Sequence, residues 1–389
     1  MEKITIKNVT MLLSVVIPTK NRQQYCKAAV NQILSLNLPD LQVVIQDNSE
    51  NDSLKSELRE YIEHNRIKYH YKECVISFVD NFSEAISLCD GEYICMIGDD
   101  DGILPNIINV TKSAKERNID CIIAGLNAVY IWPSPNSIVK NGEHGYLCLS
   151  YVEHKERHIN CQKGLYQLLD SAGQNYQNLD LPRVYHGIAK RSALEKAKDI
   201  AGNYFQGLTP DIFIAVALAS VCKNVIRIYY PITISGICPR SGSSDSATGK
   251  HTGELKDAPH FKGHTNYVWN EKSPAIYSVE SIWAETALQA LLIFGHKKLY
   301  DEFNVGLLDA ICLKKYPQYK DIIMKHVVQN KVNVKFWSII LKVKETMNAF
   351  RRIIMRISHL KSGVKKFYNI ANISQATKIV IREYNVCDK

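Results

Sequence analysis

The chain has 389 residues, of which 46% are hydrophobic and 22% are charged, and this composition is typical of a soluble globular protein. Its length is enough for more than one domain. The first residues lack the cleavage site of a signal peptide, and no uncharged apolar stretch of about 18 residues predicts a membrane-spanning helix. The eleven cysteines include no CxxC pair, so we expect neither a zinc site nor a disulfide framework.

The net charge of +9 is distributed unevenly along the chain. Residues 331–389 contain 13 Lys and Arg against 3 acids, a net charge of +10, which leaves −1 for the other 330 residues. The positive charge therefore belongs to the C-terminal segment and requires a separate explanation.

The first 131 residues alternate between strand-like apolar runs and segments with helical spacing. Because most strands are separated by a helix, we expect a largely parallel sheet with helices on both faces, an α/β fold. The predicted strands are 12–18, 41–47, 67–72, 92–98 and 120–131, and the predicted helices are 23–36, 53–65, 78–89 and 103–117.

The pattern becomes irregular after about residue 130. We predict a loop at 132–145, helices near 161–171 and 210–221, a strand at 224–235, a mobile Gly- and Ser-rich stretch at 236–255, and helices from 275 onward. The resulting domains are a ligand-binding domain at 1–240, a mobile loop and helical lid or acceptor region at 241–330, and a basic amphipathic tail at 331–389.

Polar side chains follow three of the predicted strands. "PTKNR" ends the first strand, "DNSEND" ends the second, and Asp99, Asp100 and Asp101 follow the strand 92–98. The carboxyl ends of parallel strands open on one rim of a sheet, where ligands bind. Carboxylate oxygens bind Mg²⁺ and Mn²⁺, usually together with substrate phosphates. The alternative is that the three aspartates form only a solvated acidic turn.

The segments "SVVIPTKNR", "VVIQDNSEND" and "DNFSEAISLCDGEYICMIGDDDGILP", in this order, resemble the family 2 glycosyltransferases. The resemblance extends over residues 12–130. It implies an A-type nucleotide-sugar fold with a Rossmann-like sheet, a nucleotide-diphosphate sugar donor, a Mn²⁺ or Mg²⁺ ion and an inverting displacement.

The resemblance also assigns roles to residues. Nucleotide-binding residues would be Pro18, Thr19, Asn21, Arg22, Asp47, Asp99 and Asp100, with Asp47 accepting hydrogen bonds from the base. Asp99 and Asp101 would be the acids of the DxD motif that bind the metal. The chain departs from the family pattern "LDxDD" because Gly98 stands where the first acid is expected. The phase of the motif, and the share of Asp100 in it, therefore stay open.

An inverting transfer needs a general base for the acceptor hydroxyl, and the family carries it on an acid at the start of a later helix. Asp211 in "GLTPDIF" matches that position and is our candidate for the catalytic base. Asp180 and Asp170 are the alternatives. Thr209 as cap, Pro210 at the first helical position and an acid in the first turn also describe an ordinary helix start.

Three further residues are candidates for the acceptor side or a lid. His186 could contact the acceptor or be structural, and Lys250 and His251 could close over the diphosphate or lie in a plain linker.

The C-terminal segment carries an apolar stripe at helical spacing. It consists of Phe336, Ile340, Val343, Met347, Phe350, Ile354 and Ile357, widened by Trp337, Leu341, Ile353 and Leu360. Lys335, Lys342, Arg352 and Arg356 lie outside the stripe. Such a helix could lie on an anionic membrane, pack on the body of the protein, or join subunits of a homo-oligomer. No motif supports nucleic-acid binding.

The sequence therefore indicates an inverting, metal-dependent glycosyltransferase that moves a sugar, with a UDP-sugar as the first choice of donor. The acceptor would be a hydroxyl of a glycan or lipid-linked glycan in bacterial surface polysaccharide synthesis, at the cytoplasmic face of the plasma membrane. The alternatives are a nucleotide-binding α/β regulator without transferase activity and a membrane-surface protein that binds through its basic tail.

Overall fold

In the computed structural model, an eight-stranded sheet forms the centre of the fold. Residues 11–64, 66–74, 76–135, 143–239, 252–255, 261, 267–358 and 363–386 are described. The strands are β1 (Leu13–Thr19), β2 (Leu41–Asp47), β3 (Ile67–Tyr71), β4 (Tyr93–Met96), β5 (Gly102–Ile103), β6 (Cys121–Ile123), β7 (Ala128–Ile131), β8 (Tyr146–Leu149), β9 (Glu153–His158), β10 (Gly187–Lys190), β11 (Val225–Tyr229), β12 (Thr233–Ile237), β13 (Thr252–Gly253), β14 (Tyr277–Ser278) and β15 (Lys365–Tyr368).

The described helices surround this sheet and continue to Tyr384. They are α1 (Gln23–Ser35), α2 (Ser53–Glu57), α3 (Arg59–Glu63), α4 (Phe78–Ser87), α5 (Ile107–Glu116), α6 (Cys161–Asp170), α7 (Arg191–Ala201), α8 (Pro210–Val221), α9 (Val279–Ile293), α10 (Lys297–Asp301), α11 (Val305–Lys315), α12 (Lys320–Gln329), α13 (Val334–Ser358) and α14 (Ile373–Tyr384).

The central sheet has the order β3-β2-β1-β4-β10-β6-β11-β9. Strands β3, β2, β1, β4, β6 and β11 run in one direction, and β10 and β9 run against their neighbours. Consecutive residues of β1 enter opposite cores, since Val16 packs with α4 and α8 whereas Val15 and Ile17 pack with α1 and α5. This explains the continuous apolar run of β1 and confirms the predicted α/β fold with a mostly parallel sheet.

A second sheet of order β15-β8-β7-β12-β5 lies beside the first. Two predicted strands are each divided between the two sheets. The predicted strand 120–131 consists of β6 in the central sheet and β7 in the second, and the predicted strand 224–235 consists of β11 and β12. The second of these breaks falls at Pro231, which cannot donate a ladder hydrogen bond.

The predicted helix 53–65 is two short helices, α2 and α3, which meet at Leu58. The predicted helix 103–117 starts later, at Ile107, because Gly102 and Ile103 form β5. The helices predicted near 161–171 and 210–221 are present as α6 and α8.

The segment 331–389 contains more than an amphipathic helix. After α13 the chain adds β15 to the edge of the second sheet, antiparallel to β8, and α14 packs on α1 and β5. Ile373 and Val380 of α14 are fully buried in the core of this sheet. The last part of the chain is therefore built into the fold around β5 and β7.

Candidate active site

The rim at the carboxyl ends of β1, β2 and β4 brings together side chains that are far apart in sequence. Thr19 and Asp47, the last residues of β1 and β2, are register partners. The Thr19 hydroxyl donates to Asp99 Oδ2 at 2.6 Å, although the two residues are 80 positions apart. Asp99 follows β4 after two residues. The parallel strands thus bring the three predicted segments to one place.

The turn after β1 is fixed to the turn after β2 by Asn21. Its backbone has a φ of 56°, in the left-handed region that asparagine tolerates. Its amide N–H donates to Ser49 Oγ at 2.8 Å, and its side chain exchanges hydrogen bonds with Glu50. This arrangement directs Arg22, the next residue, toward the aspartates.

Asp47 is fully buried at the end of β2. Its Oδ2 accepts from the Tyr69 hydroxyl at 2.8 Å, and its Oδ1 accepts from the Ser49 amide at 2.9 Å. Burial and the Asp47 carboxylate raise the pKa of Tyr69, which therefore stays a hydrogen-bond donor. The carboxylate is thus held in one orientation by a side chain of β3.

Asp101 is enclosed by donors on both oxygens. Its Oδ2 accepts from the Gly98 amide at 2.6 Å and the Tyr185 hydroxyl at 3.0 Å, and His186 Nε2 lies 3.2 Å away. Its Oδ1 accepts from the Gly236 amide at 2.6 Å. Burial opposes ionisation of Asp101, but His186 and these amides outweigh it and lower its pKa. Three donors therefore face Oδ2 of Asp101, our candidate metal ligand, whereas Oδ1 accepts a single hydrogen bond.

Asp99 and Asp100 face Arg22 instead. Arg22 Nη2 lies 2.7 Å from Asp99 Oδ1, and Nη1 lies 3.8 Å from Asp100 Oδ1. The other oxygen of Asp100 accepts from the Cys238 amide at 2.9 Å. Burial raises the pKa of Asp99 to about 7, while Arg22 and Thr19 oppose that rise. Burial and the neighbouring Asp101 raise the pKa of Asp100.

The departure at Gly98 has a steric reason. A Cβ atom there would lie 2.8 Å from the Tyr185 hydroxyl and 3.0 Å from Asp101 Oδ2. Tyr185 therefore occupies the space that an acidic side chain at position 98 would need. Gly236 is needed equally, because a Cβ atom there would lie 1.8 Å from the Asp100 carbonyl oxygen. Both glycines allow the backbone to close around the Asp101 carboxylate.

Asp211 lies in the first turn of α8, after Pro210 at the first helical position. The Thr209 side chain makes no capping hydrogen bond. Instead, Thr286 Oγ1 of α9 accepts from the amides of Leu208 and Thr209, at 3.1 and 3.2 Å. The helix start is therefore stabilised from another helix, and Asp211 is not used as its cap.

The Asp211 carboxylate is partly exposed and is oriented by Tyr176, whose hydroxyl donates to Oδ2 at 3.0 Å. Its Oδ1 has no hydrogen-bond donor among the described residues. Burial raises the pKa of Asp211, and Tyr176, His186 and Arg183 limit the rise. A carboxylate with one fixed and one free oxygen, and with a raised pKa, can accept a proton.

The alternative acids lack these properties. Both oxygens of Asp180 accept from Arg157, and one of them also accepts from Arg227. Asp170 is exposed at the end of α6. His186 binds Asp101 through Nε2 and the Thr233 hydroxyl through Nδ1 at 2.9 Å, so its ring is engaged within the protein. Lys250 and His251 lie outside the described residues.

Sequence reasoning missed four groups that hold the site: Tyr176, Tyr185, Gly236 and Cys238. Tyr176 begins a short 3₁₀ helix, Tyr185 and Cys238 lie in loops, and Gly236 lies in β12. Their partners are 35 to 138 positions away in sequence. A signal was present only for Gly236, since a glycine inside a strand pattern often marks a close backbone approach.

The described residues contain no group of three or more His, Cys, Asp or Glu arranged to hold a metal ion. They also contain no helix that is long and apolar enough to cross a membrane.

Residues 14–147 match the family model described as glycosyl transferase family 2. A curated relative, the GalNAc(5)-diNAcBac-PP-undecaprenol beta-1,3-glucosyltransferase of Campylobacter jejuni subsp. jejuni serotype O:2, is 28% identical over 102 residues. The match covers 25% of this chain and 32% of the relative, so the chain spans about a third of that protein.

Among solved structures, S. aureus TarS 1–349 is similar with a TM-score of 0.45 and 16% identity, over 82% of this chain and 90% of that one. The mannosyltransferase PcManGT from Pyrobaculum calidifontis, solved with GDP-Man and Mn²⁺, has a TM-score of 0.37 and 14% identity, over 82% and 86% of the two chains.

Proposed function

We propose that the protein transfers a sugar from a nucleotide-diphosphate donor to a hydroxyl group of a glycan, because residues 14–147 match the model of glycosyl transferase family 2. The observation that carries the proposal is the shared rim of Thr19, Asp47, Asp99 and Asp100, with Asp211 oriented by Tyr176. A donor site and a base for the acceptor are the two parts that such a transfer needs.

Residues at the carboxyl ends of β1 and β2, and in the turn after β1, would bind the nucleotide. Asp47 would accept a hydrogen bond from the base, and Tyr69 keeps its carboxylate oriented. Pro18, Thr19 and Asn21 would line the nucleotide, and the hydrogen bond from Thr19 would hold Asp99 for contact with the ribose. Arg22 carries a positive charge that can turn from the aspartates to the diphosphate.

A divalent cation fits the oxygens of Asp99 and Asp100 that face Arg22. Among the described residues, these two Oδ1 atoms receive no hydroxyl or amide hydrogen, whereas Thr19 donates to Oδ2 of Asp99 and Cys238 donates to Oδ2 of Asp100. Proteins usually bind Mg²⁺ through one or two carboxylates, and substrate phosphates supply further ligands. We therefore propose Asp99 and Asp100, and not Asp101, as the residues that hold Mn²⁺ or Mg²⁺. The ion would offset the charge of the departing diphosphate.

The chemistry of the transfer is an inverting displacement. Free Oδ1 of Asp211 takes the proton of the acceptor hydroxyl as that oxygen bonds to the anomeric carbon, and the bond from this carbon to the diphosphate oxygen breaks. The leaving diphosphate carries away the electron pair of the broken bond. Tyr176 fixes Oδ2, so the base presents one oxygen to the acceptor.

A lipid-linked glycan of a bacterial surface polysaccharide is the acceptor that we propose, with the protein working at the cytoplasmic face of the plasma membrane. The name of the Campylobacter relative, which refers to an undecaprenol-linked substrate, supports this choice. A UDP-sugar is the proposed donor.

Binding of the donor can be tested by thermal shift with UDP, GDP, CDP and TDP, each with and without Mn²⁺. A ligand that binds only the folded protein raises its stability with the logarithm of its concentration over Kd. We expect one diphosphate to raise the Tm of the wild type, more so with Mn²⁺, and to lose its effect in Asp100→Asn. Asp170→Asn, at an exposed position, is the matched control. Absence of any shift with all four diphosphates would refute the proposal.

A further inference from the structure

Helix α13 presents a row of large apolar side chains to the solvent. Each of its six members is between 50% and 66% exposed, and the spacing of three or four residues places them on one face. We call this row the outer face of α13, and it consists of Phe336, Ile339, Val343, Met347, Phe350 and Ile354. Large exposed apolar patches on soluble proteins generally mark an interaction site.

The opposite side of α13 packs on the body of the protein, and this packing turns the outer face toward the solvent. Trp337 and Leu341 pack against the main hydrophobic core, and Trp337 lies over Gly306 at the start of α11. Glu345 forms an ion pair with Lys314 at the end of α11. The body of the protein therefore already occupies the inner side of the helix. No described part of the body covers the outer face, and packing on the body was one of the alternatives left open by the sequence.

Basic residues accompany the outer face. The helix contains six Lys and Arg and one acid, Glu345, which is paired with Lys314. Lys335, Lys342 and Lys344 are exposed. A second copy of this helix packed on the outer face would bring like charges together, because the helix carries six basic residues against one acid. An anionic surface complements this charge pattern.

We propose that the outer face of α13 inserts into the headgroup region of an anionic phospholipid bilayer. Helices with an apolar face and a basic polar face lie in the plane of the interface, and each basic residue near such a surface adds to the attraction. Helix α13 packs on α11, and Lys315 of α11 forms an ion pair with Glu280 of α9. Thr286 of α9 in turn accepts a hydrogen bond from the Thr209 amide at the start of α8. A bound bilayer would therefore lie at a fixed position relative to Asp211.

Co-sedimentation of the full chain with vesicles tests this proposal. We would use vesicles of equal parts phosphatidylglycerol and phosphatidylcholine, and vesicles of phosphatidylcholine alone. The test variant is Val343→Glu with Met347→Glu. The matched control is Ile322→Glu with Val328→Glu on α12, which also places two acids at exposed apolar positions but outside the outer face.

The wild type and the control should sediment with the anionic vesicles. The affinity of the test variant for these vesicles should be lower than that of the wild type by about tenfold or more. Binding should fall as salt is raised and should be much weaker without phosphatidylglycerol. Equal sedimentation of the test variant and the wild type would overturn the proposal. A smaller oligomeric mass of the test variant in light scattering, with no vesicle binding by the wild type, would assign the face to a second copy.

Two further measurements keep the result interpretable. The nucleotide-induced rise in Tm should be the same in the test variant and the wild type, because the outer face is far in sequence from the donor site and both replaced side chains are exposed. The variant Lys335→Gln, Lys342→Gln, Lys344→Gln retains the apolar row and should bind anionic vesicles more weakly than the wild type. Vesicle binding without any nucleotide effect would support the membrane surface and reject the proposed donor site.

Discussion

Asp101 holds the aspartate triplet together, because it accepts hydrogens from Gly98, Tyr185 and Gly236 and pairs with His186. Asp101→Asn replaces one accepting oxygen by an NH₂ group that faces donors. Buried donors left without an acceptor cost about 1–3 kcal/mol each, so we expect the free energy of unfolding to fall by about 2–4 kcal/mol. Urea unfolding measures this, with Asp170→Asn as the control. An unchanged midpoint would show that Asp101 is not structural.

The Tyr176 hydroxyl should set the pH dependence of the reaction. Burial raises the pKa of Asp211, and the hydrogen bond from Tyr176 holds it lower than it would otherwise be. Tyr176→Phe removes that bond, so the pKa of Asp211 should rise further. A base must be deprotonated to act, and the acid limb of the profile of kcat against pH should therefore move to higher pH.

The pH–rate profiles of the wild type and Tyr176→Phe check this expectation. Activity at high pH should change less than activity at low pH, because Asp211 is ionised there in both proteins. An equal loss at every pH would mean that Tyr176 acts only through packing on Trp283, which its ring meets edge-on.

Among the elements, α9 positions the start of α8. Thr286 is fully buried and accepts from the amides of Leu208 and Thr209 just before Asp211. Thr286→Val keeps the volume but leaves both amides without this acceptor, which should cost about 1–3 kcal/mol of stability. It should also lower kcat without weakening nucleotide binding, since β1, β2 and β4 are untouched.

Thr346→Val is the matched control, because the Thr346 hydroxyl donates only to the Lys342 carbonyl on an exposed part of α13. The measurements are urea unfolding, turnover and the nucleotide-induced shift in Tm. A loss of nucleotide binding in Thr286→Val equal to its loss of turnover would contradict the positioning role of α9.

Some of the helices and strands could be predicted from the sequence and others could not. β1, β2, β4, α6 and α8 were predictable because each is a run with its own period and end signals. The assignment of β6 and β7 to different sheets could not be predicted from the sequence, because it depends on which strands they pair with and both segments are similarly apolar. At the site, Thr19 and Asp99 lie together as predicted from strand order. Tyr176 and Tyr185 come from a three-residue 3₁₀ helix and a loop, which are too short or irregular to show a period in the sequence.

For the whole molecule, the C-terminal segment is part of the structural core. Ile370, Ile373, Ala376 and Val380 are at most 6% exposed and pack under the second sheet, next to β5 and the aspartate triplet. A chain that ends at residue 330 should therefore expose this core and aggregate. Size-exclusion chromatography and light scattering check this. A soluble, monodisperse truncated chain with nucleotide binding intact would show that β15 and α14 are dispensable.

An inverting transfer with Asp211 as the base can be tested with water in place of the glycan acceptor. The measurement is NMR of the sugar released from an α-linked UDP-sugar, recorded before the anomers equilibrate. We expect the β anomer from the wild type, and release slowed about 10²- to 10⁴-fold in Asp211→Asn with nucleotide binding retained. Release of the α anomer, or equal release by Asp211→Asn and the wild type, would contradict the account.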